Sequence, residues 1–395
     1  MTPLTFEDAR QCVIGTVSAA ARPARETAPL EEAGGRVLAV AVHAGRDYPA
    51  LARSTRDGFA VHAAETPGRL IVAGEVRAGA VSGEPLRPGT AVEIMTGAPV
   101  PDGADAVVMV EHTRREEGFV IVPAAEPGQF INPPGAEARA GQELIPAGRR
   151  LGYREVALLA SESMTAVPVY RRPRVAILST GDEVVEVGAA PAPHQVRNSN
   201  AYALAAQVRR AGGIPEILPI ARDEHDATLA LLERGLQADL LLVSGGVSAG
   251  KYDIVERVLA QLGAEFCFDR VLIQPGQPLV FGRARGKFFF GLPGNPASTM
   301  VTFELFARAA VELLAGEAEP ALPLLLARLT AGLKHKAGLT RFLPARLSAD
   351  GATVAPAAWR GSSDMAGLAR ANAFLVAARD RETYEAGDLI QVLMR

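Results

Sequence analysis

The chain has 395 residues, enough for two to four domains with sizeable cores. Lys and Arg total 41 against 44 Asp and Glu, a formal net charge of −3, so no polybasic surface argues for a nucleic acid or an anionic membrane as partner. Two cysteines, Cys12 and Cys267, are too few for a disulfide framework or a zinc site and are expected to fill core, and the six histidines are scattered rather than paired at ligand spacing.

The opening MTPLTFEDAR lacks the basic and apolar regions of a signal peptide. No uninterrupted apolar segment approaches the roughly 18 residues of a membrane helix, so a cytoplasmic location is expected. Thr5 and Asp8 predict caps for a first helix to about Val17, followed by a short helical segment around Pro29 to Ala33 that Gly34 and Gly35 stop. Both read as scaffold. From Arg46 the texture changes to short β-prone runs, RLIVAGEVRAG, GTAVEIMTG, ADAVVMVEH and GFVIVPA, as in a small β-domain ending near Arg139. Within it, the loops at Ser54–Gly58 and Met95–Pro99 carry one carboxylate, Asp57, and one hydroxyl, Thr96. Ordinary turn chemistry accounts for either loop taken alone.

Helical pattern returns from Tyr153 to Ser163, and Arg174 opens an alternating βα region. Val175 to Leu178 is a buried-strand signal ending in Ser179, Thr180, Gly181, Asp182 and Glu183. Asn200 begins a helix to Ala211, and Ile214 to Ile220 reads as a strand ending in Arg222 and Asp223. The central stretch is ADLLLVSGGVSAGKYD, from Ala238 to Asp253. Leu240 to Val243 is continuously apolar, as a strand buried on both faces of a parallel sheet requires. Gly245, Gly246, Ser248 and Gly250 then turn the backbone tightly and aim N–H groups at an anion. Asp253 with Glu256 suits a capping box for an amphipathic helix ending at Gly263. Later a hairpin, PLVFGRARGKFFF, leads into Gly291–Pro296, where Pro296 suits the first turn of a helix to about Ala315.

Four polar loops thus follow successive strands, and in open α/β sheets such loops share one rim at the carboxyl ends. Glycine amides and helix N-termini there favour phosphate or another oxyanion, while Asp182, Glu183, Asp223 and Asp253 are hard oxygen ligands suited to Mg²⁺. Asp182 and Glu183 suit helix caps as well. Neither GxxxxGK[ST] nor a strand-following GxGxxG is present, which excludes ordinary P-loop or Rossmann nucleotide use. After Pro320 the strand Arg341 to Leu347, an Asp350-Gly351 turn, AFLVAA and DLIQVLM read as a small β-barrel or sandwich. Gly361 to Asp364 reads as a solvated loop, and an apolar contact accounts for Trp359.

Taken together, STRDG at Ser54, MTGAPVP at Met95, STGDE at Ser179, SGGVSAGKYD at Ser244, PGQP at Pro275 and GLPGNP at Gly291 resemble the molybdopterin molybdenumtransferase (MoeA) family, to which the C-terminal half of gephyrin is related. The match is colinear over nearly the whole chain. It implies an α/β multidomain fold with a discontinuous scaffold at 1–45 and 140–170 and an inserted β-domain at 46–139. A MogA-like α/β domain with a mostly parallel sheet follows at 171–318, and a C-terminal β-barrel at 319–395. The implied reaction joins adenylylated molybdopterin and molybdate, with Mg²⁺, to give the molybdenum cofactor and AMP. A tungstate-inserting paralogue, or a non-catalytic molybdopterin-binding scaffold, is the alternative. The implied partners are a second copy in a homodimer, a MogA-type molybdopterin adenylyltransferase, and acceptor molybdoenzymes or their chaperones.

The catalytic set implied by the resemblance is Asp57, Asp253 and Glu183. Substrate binding falls to Thr96, Ser179, Thr180, Gly181, Asp223, Ser244, Gly245, Gly246, Ser248, Gln274, Gln277, Pro293, Gly294 and Asn295, and metal binding to Asp182, Glu183 and Asp253. The sequence departs from the family where two lysines are common, at Gln274 and Gln277, which bring hydrogen bonds without charge. Pro133 also replaces a common arginine. Arg56, beside Asp57, and Lys251 are the expected sources of the missing positive charge.

Overall fold

The apolar run at Leu240 becomes the strand Leu240–Ser244, buried along its whole length between Arg174–Ser179 and Lys287–Leu292, both parallel to it. The computed structural model describes residues 1–19, 23–80, 84–246 and 254–394. Ile214–Ile217 extends the sheet on one side, and the antiparallel strands Pro278–Ala284 and Glu265–Arg270 extend it on the other.

Period-two alternation explains why every residue of the central strand is apolar. Ile177, Leu242 and Phe290 face one layer with Leu204 and Val208 of helix Ser199–Arg210 and with the Pro296–Leu314 helical segment. Leu178, Leu241 and Phe289 face the opposite layer with Leu232, Val255 and Val258, from helices His225–Gly235 and Ile254–Gln261. Truncating Leu242, wholly buried, would remove about 2–5 kcal/mol of stability.

The first helix runs Phe6–Ser18, and the Thr5 hydroxyl accepts from the Asp8 N–H as its N-cap. Phe6 packs edge-on against Phe306 and Phe342, at 5.8 and 5.2 Å between ring centres. The short helical segment expected around Pro29 to Ala33 is one 3-10 turn, Leu30–Glu32, and the residues before it form a strand, Arg25–Pro29, paired with Ala166–Tyr170. Pro29, with extended backbone and no N–H to give, ends the strand and stands as the N-cap of the turn.

The last section is a closed barrel rather than a sandwich. Thr340–Leu347 pairs with Thr353–Pro356 and Ala373–Ala377, Leu389–Met394 pairs with Ala373–Ala377 and Leu324–Leu329, and Leu324–Leu329 closes the ring on Thr353–Pro356. Closure removes the free strand edges that a small sandwich leaves.

By contact density the chain forms two units. One comprises residues 1–39, 147–157 and 165–395, and holds the mixed sheet and the barrel. The other comprises 40–146 and 158–164. Its sheet runs Ala106–Met109, Gly58–Val61, Thr90–Ile94, Gly68–Val76, Phe119–Val122, Arg114–Glu116. Gly58 is required here by close approach, because a Cβ on it would lie 1.9 Å from the Val108 carbonyl oxygen. That fit fixes the strand immediately after Asp57. Among the described residues no helix is long and apolar enough to cross a membrane.

In the first unit, Glu312 sits 3.5 Å from Arg308 on the helix Arg308–Leu314. Burial outweighs that neighbour and pushes its carboxyl up to about 7.

Candidate functional site

Parallel register places Ser179, Ser244 and Leu292 side by side at the carboxyl end of the sheet. The chain leaves all three strands into polar loops, and a cavity of about 1000 Å³ opens above them. Its floor includes Ser179, Thr180, Ser244, Gly245, Gly294 and Asn295, and Glu183 stands at its side. Seven of the expected residues therefore meet in one place. One wall is apolar, with Val184, Val187, Pro191, Val196 and Met365. A flat ring can rest on that wall while phosphate oxygens face the hydroxyl and amide floor.

The floor is tied together by Asn200, whose Nδ2 donates to Ser244 Oγ at 2.9 Å, to the Gly294 carbonyl at 2.8 Å and to Thr299 Oγ1 at 3.3 Å. The Gly294 carbonyl accepts only, so it fixes which end of the Asn200 amide faces it. Asn200 Oδ1 is left buried and without a partner among the described residues. Asn198, not Asn200, is the N-cap of the following helix; its side-chain oxygen accepts from the Ala201 N–H and from the Ser179 hydroxyl at 2.7 Å. Ser179 thus lines the cavity with its proton already committed.

Thr180 is 4% exposed, and its hydroxyl has no partner among the described residues. The hydroxyl oxygen is itself buried beside Gly245 and Gly246, at the edge of the cavity. Gly245 and Gly246 take φ of +90° and +61°, and a Cβ on Gly246 would lie 2.8 Å from the Thr180 hydroxyl oxygen, so only glycine lets the turn close this tightly. One expectation fails here. The Gly245 N–H is not free for an anion, because the neighbouring strand's Leu292 carbonyl takes it at 3.1 Å. Ser248, Lys251 and Asp253 lie outside the described residues.

Beside the cavity, Thr180 bridges Ala221, the Gly181 N–H reaches the Ala221 carbonyl, and the Asp223 N–H donates to Asp182 Oδ1 at 3.2 Å. Burial, then the charges of Asp182 and Glu183, hold the Asp223 carboxyl above the usual carboxylate range. Such a group of acids is short of positive charge. No set of three metal-type side chains among the described residues converges closely enough to hold an ion alone. Mg²⁺ commonly takes only one or two carboxylates, with phosphate and water completing the shell, so the acids fit it in the presence of a phosphorylated substrate.

Pro293 is buried in the same loop, its carbonyl accepting from Thr299 Oγ1. Gln274 and Gln277 do not line the cavity. Gln274 instead pairs in register with Arg341 of the barrel. Arg341 Nε is buried without a partner among the described residues. The loop Gly361–Asp364 is not simply solvated: Ser363 lines the cavity, and the Ser362 carbonyl accepts from the Ala297 N–H at 3.0 Å.

Asp57 and Thr96 belong to the other unit and meet there. Asp57 Oδ1 accepts from the Thr96 N–H at 2.6 Å and from its hydroxyl at 2.8 Å. The backbone bond first, and the hydroxyl second, hold this exposed carboxyl below its ordinary range. Arg56 turns elsewhere: its guanidinium bonds the Thr55 carbonyl at 2.8 Å and lies 5.6 Å from the Phe130 ring centre.

The whole chain has matches of the same kind. Residues 4–162 match the MoeA N-terminal region (domains I and II), 176–313 a probable molybdopterin binding domain, and 326–394 the MoeA C-terminal region (domain IV). The chain belongs to the MoeA family. It is 36% identical over 384 residues to the molybdopterin molybdenumtransferase of Bacillus subtilis, covering 93% of this chain and 89% of that protein. It is also 36% identical to molybdopterin molybdenumtransferase 2 of Mycobacterium tuberculosis over 398 residues, 97% of each. The crystal structure of the molybdopterin biosynthesis MoeA protein from Pyrococcus horikoshii OT3 superposes with a TM-score of 0.85 at 26% identity, covering 100% of both chains. The MoeA match thus spans both the cavity and the Asp57 loop.

Proposed function

We propose that this chain is a molybdopterin molybdenumtransferase, taking adenylylated molybdopterin and molybdate to the molybdenum cofactor and AMP. The observation that carries the reading is the cavity at the strand ends, with its apolar wall, its amide and hydroxyl floor and the orphaned Thr180 hydroxyl. An adenylylated pterin has the matching parts, two flat ring systems joined through phosphate.

In this reading Val184, Val187 and Met365 exclude water from one ring face. Thr180 donates its hydroxyl to a phosphate oxygen, and Asn295 presents its exposed amide at the start of helix Pro296–Thr302, where it makes no capping bond. Asn200 keeps Ser244 and Gly294 in place, so the floor does not reorganise as charge develops. Mg²⁺, held by Asp182 and Glu183 with Asp253 from beyond the described residues, would neutralise charge on the phosphates as they separate. Asp57 stays ionised to orient water, aided by its two bonds from Thr96.

The working form in this proposal is a homodimer in the cytoplasm, each copy's Asp57 loop serving the other's cavity. A MogA-type adenylyltransferase provides the substrate, and molybdoenzymes or their chaperones take the product. The test mixes purified protein, adenylylated molybdopterin, Mg²⁺ and molybdate or tungstate, and follows AMP release with reconstitution of an apo-molybdoenzyme. Release that requires molybdate and activates the acceptor is expected. Binding without turnover in either oxyanion would overturn the reading.

A further inference from the structure

The described residues that line the cavity at the strand ends include two charged side chains, Glu183 and Arg197. One small parallel sheet places both, Val184–Val185 beside Val196–Arg197, with Val184 opposite Val196 and Val185 opposite Arg197. The Val196 N–H donates to the Glu183 carbonyl at 2.9 Å and the Asn198 N–H to the Val185 carbonyl at 2.8 Å, which pins the register. Glu183 therefore precedes the apolar pair Val184 and Val196, and Arg197 follows it, about 6–7 Å further along the strand direction. Among the described residues the Arg197 side chain makes one bond, from Nε to the Ala189 carbonyl at 3.1 Å. That bond holds the exposed guanidinium by its stem and leaves both Nη groups uncommitted. Arg197 belongs to none of the motifs that carry the family resemblance.

We propose that Arg197 is the binding and specificity residue for the nucleotide half of the substrate, its Nη groups donating to the adenylyl phosphate. This deepens the transferase reading of the same cavity and rests on it for the identity of the ligand. A ring resting on Val184 and Val196 carries its phosphate beside the guanidinium at one end of that apolar pair. At the other end Glu183 repels an oxyanion unless a cation stands between them. The cavity thereby has a direction, with the anion at Arg197 and the metal at Glu183. Gln274 and Gln277 neither carry charge nor line the cavity, so on its described lining Arg197 is the one cation that phosphate can meet. Its planar fork matches two phosphate oxygens at once, which the point charge of a lysine does not. Removing it costs a charged hydrogen bond and leaves Glu183 unopposed.

The full chain and its Arg197→Met and Arg197→Lys variants are titrated with AMP, adenosine and molybdate by calorimetry, then melted, then assayed for AMP release. The unmutated chain should bind AMP at least about tenfold more tightly than adenosine. Arg197→Met should lose about ten- to a hundredfold on AMP, with adenosine affinity and melting temperature unchanged because the side chain is exposed. Arg197→Lys should fall between the two. In turnover, KM for adenylylated molybdopterin rises by a similar factor in Arg197→Met while kcat holds. No preference for AMP over adenosine, equal AMP affinity with and without Arg197, equal losses on AMP and adenosine, or a loss confined to molybdate would each overturn the proposal. An unmutated chain that binds AMP through Arg197 yet never turns over would sink the transferase reading alone, and an active chain indifferent to Arg197→Met would sink this inference alone.

Discussion

Two aspartates of this chain are perturbed in opposite directions, and the contrast separates two kinds of acidic position. Asp57 is exposed and held low by two donors from Thr96. Asp223 is exposed beside Asp182 and Glu183, and partial desolvation with their charges holds it high. A carboxylate fed by hydrogen-bond donors is a finished anion, whereas one crowded by like charges is stabilised only when a cation arrives. Glu312 is a third case, raised chiefly by burial and absent from the residues that line the cavity.

Asp57→Ala should break the contrast most severely. AMP release falls by at least about a hundredfold while the melting temperature stays put, because an exposed side chain contributes little packing. Retained release would remove Asp57 from the chemistry. Asp223→Asn is expected to raise the Mg²⁺ concentration for half-maximal release about tenfold, by thinning the charge that draws the cation. An unaltered Mg²⁺ titration would make that acidic group structural. Thr96→Val leaves the backbone donor and removes the hydroxyl, so the Asp57 carboxyl climbs and the acid limb of the pH–rate profile moves to higher pH, with the rate near neutrality little affected.

Glu312 sharpens the comparison without touching activity. The folded chain keeps this proton up to about pH 7, whereas the unfolded chain loses it near 4.5, so stability falls as pH rises through that window, by at most about 3 kcal/mol. Glu312→Gln should flatten the difference between melting temperatures at the two ends of the window. An equal slope in both proteins would show that other groups set it.

Much of the rim was legible because its signals are local. An all-apolar strand followed by Gly-Gly, and a Pro-Gly-Asn-Pro turn before a helix, each announce their structure within a few residues. Contacts made across the sequence were not legible. Nothing near Asn200 reveals that its amide ties Ser244 to Gly294, nothing near Ser363 reveals a cavity wall, and nothing around Leu292 warns that its carbonyl takes the Gly245 N–H. The turn of helix after Pro29 was legible from its acidic Leu-Glu-Glu run, but the strand Arg25–Pro29 before it was not, because its partner Ala166–Tyr170 lies far away in sequence.

The placement of Phe6 bears on biosynthesis. Its aromatic partners, Phe306 and Phe342, are translated some 300 residues later, so at typical elongation speeds of about 5–20 residues per second the first helix waits roughly 15–60 seconds for them. Through that interval its apolar face is open on the nascent chain, a target for holdase chaperones and the segment most exposed to premature association.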